Sequence, residues 1–131
     1  MVQTMSGLGT AGVTLLGSTG SIGDNTLDVI ARHPQHFRVI ALTANSRVEK
    51  LAQQCVRFRP QYAVMADADA ATRLQQVLST SAPDVQVLSG SAGLVEVAGM
   101  DSVDCVMAGI VGAAGLLPSL AAARAGKRVL L

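Results

Sequence analysis

Tryptophan is absent from this chain of 131 residues, tyrosine occurs once and phenylalanine twice. So few aromatic rings offer no stacking platform for single-stranded nucleic acid. Charge of either sign is not in surplus: Lys and Arg number 10, Asp and Glu 9, and the net charge is +1. That balance removes the electrostatic ground for a nucleic-acid or anionic-membrane partner. The two cysteines, Cys55 and Cys105, stand far apart, with no Cys or His at metal-ligand spacing. Each falls within an apolar pattern and reads as a small core residue, not as a ligand, nucleophile or disulfide partner. No apolar run approaches the length that spans a bilayer. No basic stretch followed by an apolar one opens the chain, so no secretory signal is read there. The expected setting is reducing and cytoplasmic.

Aliphatic residues are what the chain does have. Hydrophobic residues make up 50% of it, charged ones 15% and aromatics only 2%. That bias suits a parallel sheet whose strands are buried on both faces by helices. The length allows one domain with a real core and little more.

The pattern is organised around residues 12–23, Gly-Val-Thr-Leu-Leu-Gly-Ser-Thr-Gly-Ser-Ile-Gly. A short apolar run, Val13 to Leu16, leads into glycines at 17, 20 and 23. Ile22, Thr26, Leu27, Val29 and Ile30 then recur at helical spacing. Strand, glycine turn and helix together can lay a pyrophosphate on a helix N-terminus, where unpaired N–H groups and the macrodipole favour an anion. Glycine permits close backbone approach, and Ser18, Thr19 and Ser21 offer hydroxyl donors. The spacing is G-x-x-G-x-x-G, not the usual G-x-G-x-x-G of dinucleotide sites, and a glycine-rich βα turn without a ligand would look the same. The lack of a Lys-Ser/Thr pair after the last glycine argues against a Walker loop.

Residues 1–11 read as a flexible leader and 12–131 as one domain. The first helix ends near His33-Pro34, with His33 and His36 as solvated turn residues. Phe37 to Thr43 is a buried strand, and Val48, Leu51, Ala52, Cys55 and Val56 mark one face of a helix that Pro60 stops. Tyr62 to Ala66 is a third strand, and Asp67 or Asp69 caps a helix running to about Ser79. Val85 to Leu88 is a fourth strand, 91–98 a short helix, and Val103 to Met107 a fifth strand. The strand leads into a second glycine-rich stretch, residues 108–115, which fits either close helix–sheet packing or the nicotinamide half of a cofactor site. Pro118 lies in the first turn of a further helix that Gly126 closes, and Arg128 begins a sixth strand. The expected fold is α/β and Rossmann-like: a doubly wound, mostly parallel sheet with helices on both faces. In such sheets ligands bind beyond the carboxyl ends of the strands. A chain that stops within a sixth strand therefore reads as a fragment.

The second strand runs into Thr43-Ala-Asn-Ser-Arg47, where a ribose-binding fold usually carries an acidic residue. A carboxylate there would repel a 2′-phosphate, whereas Asn45, Ser46 and Arg47 supply donors and a positive charge. The residues favour NADP(H) over NAD(H). Asn45 and Ser46 equally suit an N-cap, with Arg47 solvated. The two readings are compatible, since capping uses a side-chain oxygen and a phosphate uses N–H groups.

Gly17-Ser-Thr-Gly-Ser-Ile-Gly23, Thr26-Leu-Asp-Val29, His36-Phe-Arg-Val39, Arg59-Pro-Gln-Tyr-Ala-Val-Met65 and Ala108-Gly-Ile-Val-Gly-Ala-Ala-Gly-Leu-Leu-Pro118 resemble 1-deoxy-D-xylulose 5-phosphate reductoisomerases. The resemblance runs from about residue 12 to 131. It implies an NADPH-dependent homodimeric enzyme of non-mevalonate isoprenoid biosynthesis that uses Mg²⁺ or Mn²⁺ and is inhibited by fosmidomycin. The reaction it implies is isomerisation and reduction of 1-deoxy-D-xylulose 5-phosphate to 2-C-methyl-D-erythritol 4-phosphate. Carried over by position, Thr19, Gly20, Ser21 and Ile22 hold the pyrophosphate. Asn45, Ser46 and Arg47 hold the adenosine 2′-phosphate. Many relatives have Gly, a basic residue and Asn at those last three places; here the basic group stands one position later. The family pattern continues past residue 131 into an Ala-Asn-Lys-Glu run, acidic metal ligands and a lid. No residue of this chain is therefore expected to be catalytic or metal-binding, and the chain alone is not expected to turn over substrate. Three rival readings are another NADP-dependent oxidoreductase, a non-catalytic dinucleotide-binding module, and a folded piece whose cofactor cleft is incomplete.

Overall fold

The computed structural model describes residues 10–109 and 125–130. Strands and helices alternate: β1 (Ala11–Leu16), α1 (Ser21–Arg32), β2 (Phe37–Ala44), α2 (Val48–Phe58), β3 (Tyr62–Met65), α3 (Ala68–Ser81), β4 (Gln86–Ser89), α4 (Gly90–Gly99), β5 (Cys105–Ala108) and β6 (Arg128–Leu130). All the strands pair in parallel, in the order β4-β3-β2-β1-β5-β6. The Rossmann-like α/β architecture expected from the sequence is what forms. The chain winds outward from β1 to β4, crosses back on α4, and resumes beside β1 at β5. The winding direction thus reverses at β1/β5, which is where such sheets open a crevice beyond their strand ends.

Burial explains the layers. Leu27 and Ile30 of α1, Leu51, Ala52 and Cys55 of α2, and Ala70, Ala71, Leu74 and Leu78 of α3 pack against Val13, Leu15, Leu42 and Met65 on one face of the sheet. The opposite face is covered by α4, through Leu94 and Val97 against Ala41 and Val64, and Ala98 beside Ile40 and Val106. Aliphatic strands buried on both faces account for a sequence half apolar and nearly free of rings.

One irregularity lies next to the site-bearing strand. Val13 pairs with Val39 but Thr14 pairs with Ala41, so Ile40 is an extra residue in β2. Val39 faces the α1–α3 layer, while Ile40 and Ala41 both pack toward α4. A bulge of this kind opposes two residues to one and re-aims the remainder of the strand. Gly12 accommodates it: a Cβ there would stand 3.0 Å from Ile40 Cγ1 and 2.1 Å from the Ser102 carbonyl oxygen.

Several boundaries and faces depart from the sequence reading. Ala11 already belongs to β1, paired with Phe37, one position before the expected start of the domain at residue 12; residues 1–9 lie outside the described ones. In α1, Ile22 and Val29 are 50% and 47% exposed, and the buried line is Gly23, Leu27 and Ile30. Val56 of α2 is 41% exposed, since it stands one position beyond the buried stripe. That helix is ended by Arg59 in the left-handed region (φ 49°), its N–H donating to the Cys55 carbonyl oxygen; Pro60 only follows. Asp67, not Asp69, caps α3, its Oδ2 accepting from the Ala70 N–H at 2.8 Å. The helix runs on to Ser81, β3 stops at Met65, β4 is Gln86–Ser89 and β5 is Cys105–Ala108. The helix expected around Pro118 lies outside the described residues, whereas Gly126 does adopt a positive φ, 77°, just before β6.

Candidate functional site

Of the five buried polar side chains among the described residues, Thr14, Ser18, Thr19, Thr43 and Gln54, all but Thr14 gather at the carboxyl ends of β1 and β2. Buried hydroxyls and amides are costly unless hydrogen-bonded, and here Ser18, Thr43 and Gln54 are bonded to one another or to the loop backbone. The turn begins at Gly17, whose φ of 81° suits glycine and whose N–H donates to Thr43 Oγ1 at 2.8 Å. The Ser18 N–H donates to the Thr43 carbonyl oxygen at 2.7 Å. Ser18 Oγ turns inward as well, 2.8 Å from Gln54 Oε1 and 3.2 Å from the Thr43 oxygen. Gln54 Nε2 in turn donates to the Ser18 carbonyl oxygen at 3.0 Å and lies 3.5 Å from Asp24 Oδ1. Ser18 is therefore not an outward-facing hydroxyl donor, as the sequence suggested; its hydroxyl is taken up by the loop's own anchorage.

Helix α1 starts at Ser21, directly after the loop formed by residues 17–20. Its N-cap is Gly20 in extended backbone, with no side-chain cap, and the first backbone bond runs from the Asp24 N–H to the Gly20 carbonyl oxygen. Among the described residues no acceptor serves the N–H groups of Thr19, Gly20, Ser21, Ile22 or Gly23. A run of free donors at the positive end of a helix is an anion cradle. Gly20 leaves that cradle open, because a Cβ on it would meet only the Gly17 carbonyl oxygen, at 3.9 Å. Gly23 has the opposite role: a Cβ there would sit 2.1 Å from the Ser18 carbonyl oxygen, so α1 can close on the loop only without a side chain.

The β2–α2 turn supplies the other wall. Asn45, Ser46 and Arg47 are all exposed at the carboxyl end of β2. The N-cap of α2 is Arg47, with no side-chain bond, so the capping role open to Asn45 and Ser46 is not taken up. The Asn45 carbonyl oxygen instead accepts from the Asp67 N–H. Arg47 Nη1 donates to the Thr19 carbonyl oxygen at 3.0 Å, which brings this tripeptide and the glycine loop together. One turn along α2, Lys50 Nζ stands 2.6 Å from Asp24 Oδ2. That ion pair offsets the Asp24 carboxylate, which lies in the first turn of α1.

From the second glycine stretch the structure describes only Ala108 and Gly109. The Gly109 N–H donates to the Leu16 carbonyl oxygen at 2.7 Å, and a Cβ on Gly109 would come within 3.0 Å of that oxygen. This glycine thus serves close packing of β5 on β1; residues 110–115 lie outside the described ones. No cluster of three or more His, Cys, Asp or Glu side chains that could hold a metal ion occurs among the described residues. No described helix is long and apolar enough to cross a membrane. His33 and His36 are exposed in the α1–β2 turn, far from the cradle in sequence and at the opposite end of the strands.

Sequence reasoning missed Thr43, Gln54, Asp24 and Lys50. Only Gln54 left a signal: it is a polar residue beside Cys55 and three after Leu51, on a face otherwise apolar.

Parallel sheet, reversal at β1/β5 and a cradle of free N–H groups at that point define an α/β domain of the Rossmann type. The family model for 1-deoxy-D-xylulose 5-phosphate reductoisomerase matches residues 13–131, and the chain belongs to that family. It is 60% identical over 119 residues to the reductoisomerase of Janthinobacterium sp. (strain Marseille), covering 91% of this chain and 30% of that protein. It is 56% identical to that of Nitrosomonas europaea, covering 91% and 29%. Among solved structures, a reductoisomerase in complex with magnesium superimposes with a TM-score of 0.90 at 46% identity, over 93% of this chain and 30% of that one. The Zymomonas mobilis enzyme in complex with NADPH gives 0.86 at 45%, over 93% and 32%. The chain thus spans about a third or less of the length of the relatives it matches.

Proposed function

We propose that this chain is the NADPH-binding part of a 1-deoxy-D-xylulose 5-phosphate reductoisomerase. The cofactor's pyrophosphate lies on the backbone of Thr19, Gly20, Ser21 and Ile22. The adenosine 2′-phosphate is held by Asn45, Ser46 and Arg47. What carries the reading is the run of free N–H groups from Thr19 to Gly23, beside a guanidinium already anchored on the same loop. Five donors with no acceptor among the described residues fit a doubly charged diester, and the open side of Gly20 leaves it room. Arg47 can present two parallel N–H bonds to a phosphate while its stem stays in place.

Bound NADPH supplies hydride. The residues here bind and orient it, and the carboxyl ends of β1 and β5 set the crevice in which its nicotinamide end lies. The whole protein isomerises and reduces 1-deoxy-D-xylulose 5-phosphate to 2-C-methyl-D-erythritol 4-phosphate for isoprenoid synthesis. It does so in the cytoplasm, as a homodimer, with Mg²⁺ or Mn²⁺ held by residues outside this chain. A solved reductoisomerase in complex with NADPH, fosmidomycin and magnesium, 46% identical with a TM-score of 0.88, supports the cofactor and magnesium parts of this reading. The test is a calorimetric titration of the chain with NADPH and with NADH. Tight NADPH binding and weak NADH binding are expected; equal affinity for both would remove the 2′-phosphate assignment, and no binding of either would remove the cofactor site.

A further inference from the structure

We infer that Gln54, a buried residue of α2, is the positioning residue that aims the glycine loop's donors into the crevice. The inference rests on the loop being the pyrophosphate site. Gln54 is only 8% exposed, yet it sits on an apolar face, so its carboxamide must be accounted for by what it bonds. Its orientation is fixed by chemistry. The Ser18 carbonyl oxygen can only accept, so the Gln54 atom 3.0 Å from it is the amide nitrogen, and the amide oxygen takes the Ser18 hydroxyl proton at 2.8 Å.

A trans peptide unit points its C=O and N–H in opposite directions, and no peptide here is cis. Pulling the Ser18 carbonyl toward α2 therefore turns the Thr19 N–H away from α2, where it meets no acceptor among the described residues. Arg47 does the same to the next unit: it holds the Thr19 carbonyl at 3.0 Å and so turns out the Gly20 N–H. Two consecutive peptide planes are thus set from one helix, the first by Gln54 from its buried face and the second by Arg47 from its N-cap. Pre-set donors bind an anion without the ordering cost that a free loop must meet on binding. The loop is rigid on this account because α2 holds its carbonyls, not because glycine turns are rigid.

Gln54→Glu keeps the shape but replaces the donor to Ser18 by an acceptor, and Gln54→Met keeps the volume with neither. Both are measured in the full chain for thermal stability, for NADPH and NADH dissociation constants, and for the Thr19 and Gly20 amide signals in the free protein. The expected result is a loss of roughly tenfold for both nucleotides, with their ratio unchanged and the two amide signals shifted, in whichever variant remains folded. Unchanged affinity with a lowered melting temperature would make Gln54 structural only and overturn the inference, while leaving the cofactor site standing. A loss confined to NADPH would overturn it too, by assigning Gln54 to the 2′-phosphate. Failure of the unsubstituted chain to bind either nucleotide removes the inference together with the site it serves.

Discussion

Arg47 Nη1 lies 3.0 Å from the carbonyl oxygen of Thr19, so one side chain at the start of α2 touches the loop that precedes α1. The fork of the guanidinium has further donors: one engages Thr19, and others remain for a phosphate. Arg47→Ala removes both. NADPH binding is expected to weaken by roughly 10- to 100-fold, the scale of a hydrogen bond to a charged group, and NADH binding by only about threefold. Arg47→Lys keeps the charge without the fork and should fall between. Isothermal titration with both nucleotides measures the two numbers, and a parallel loss for both would reduce Arg47 to a loop anchor.

Two glycines of the same motif are expected to respond in opposite ways. At Gly23 an alanine Cβ would stand 2.1 Å from the Ser18 carbonyl oxygen, a backbone atom that cannot step aside. Gly23→Ala should therefore cost about 3 kcal/mol or more, within the range of severe overpacking. At Gly20 the backbone is extended (φ −85°) and the nearest atom is 3.9 Å away. Gly20→Ala should leave the melting temperature within a degree or two, yet weaken NADPH, because in the proposed binding mode the space it fills is the ligand's. Paired thermal melts and titrations separate them; a stable, fully binding Gly20→Ala would show that the cradle is not approached from that side.

The fold was legible because each β-strand is a short aliphatic run and each helix has a clear apolar line, as with Leu51, Ala52 and Cys55. The glycine loop was legible too, since its spacing forces the backbone close to something. What stayed hidden is what depends on direction. Ser18, Thr19 and Ser21 look alike in sequence, but the Ser18 hydroxyl is turned inward to Gln54 and the Thr43 oxygen, which only the packing of α2 on β2 beside the loop decides. Gln54, distant by 36 positions, announced itself by nothing more than polarity on an apolar face. The bulge at Ile40 left no trace in a strand that is apolar at every position from Val39 to Leu42. Ile22 and Val29 fit the helical period yet face outward, because the line of contact is set by Gly23, Leu27 and Ile30.

Cys55 carries a dependence on pH. Burial against the sheet penalises its thiolate and pushes the thiol from 9.0 up to about 12. Below pH 9 the thiol is protonated folded and unfolded, and it has no effect. Between pH 9 and 12 the unfolded chain releases the proton while the folded one keeps it, so stability falls as pH rises, by up to about 1.4 kcal/mol per unit. Urea unfolding at pH 8 and pH 10 should reveal the loss, and Cys55→Ala should flatten that part of the profile while costing stability at both. A thiol reagent at pH 8 should leave Cys55 unmodified in the folded chain. Fast labelling there would contradict the burial on which the slope depends.

Thr43 joins the sheet to the loop, and its hydroxyl oxygen is the acceptor that receives the Gly17 N–H at 2.8 Å. Valine has the same shape without that acceptor. In Thr43→Val the Gly17 N–H, partly buried in a turn of positive φ, loses its partner, at a cost of about 1–3 kcal/mol. The Thr43 carbonyl still accepts from Ser18, so the strand end is expected to persist and the turn alone to loosen. Thr43→Ser restores the oxygen and should recover most of the loss, apart from the missing methyl group. Denaturant melts of the three proteins give the stability differences, and NADPH titration gives the rest of the argument. If the turn at Gly17 sets the entry angle of the loop, affinity falls in Thr43→Val and returns in Thr43→Ser; if only stability changes, the loop's geometry is held from α2 and owes nothing to β2.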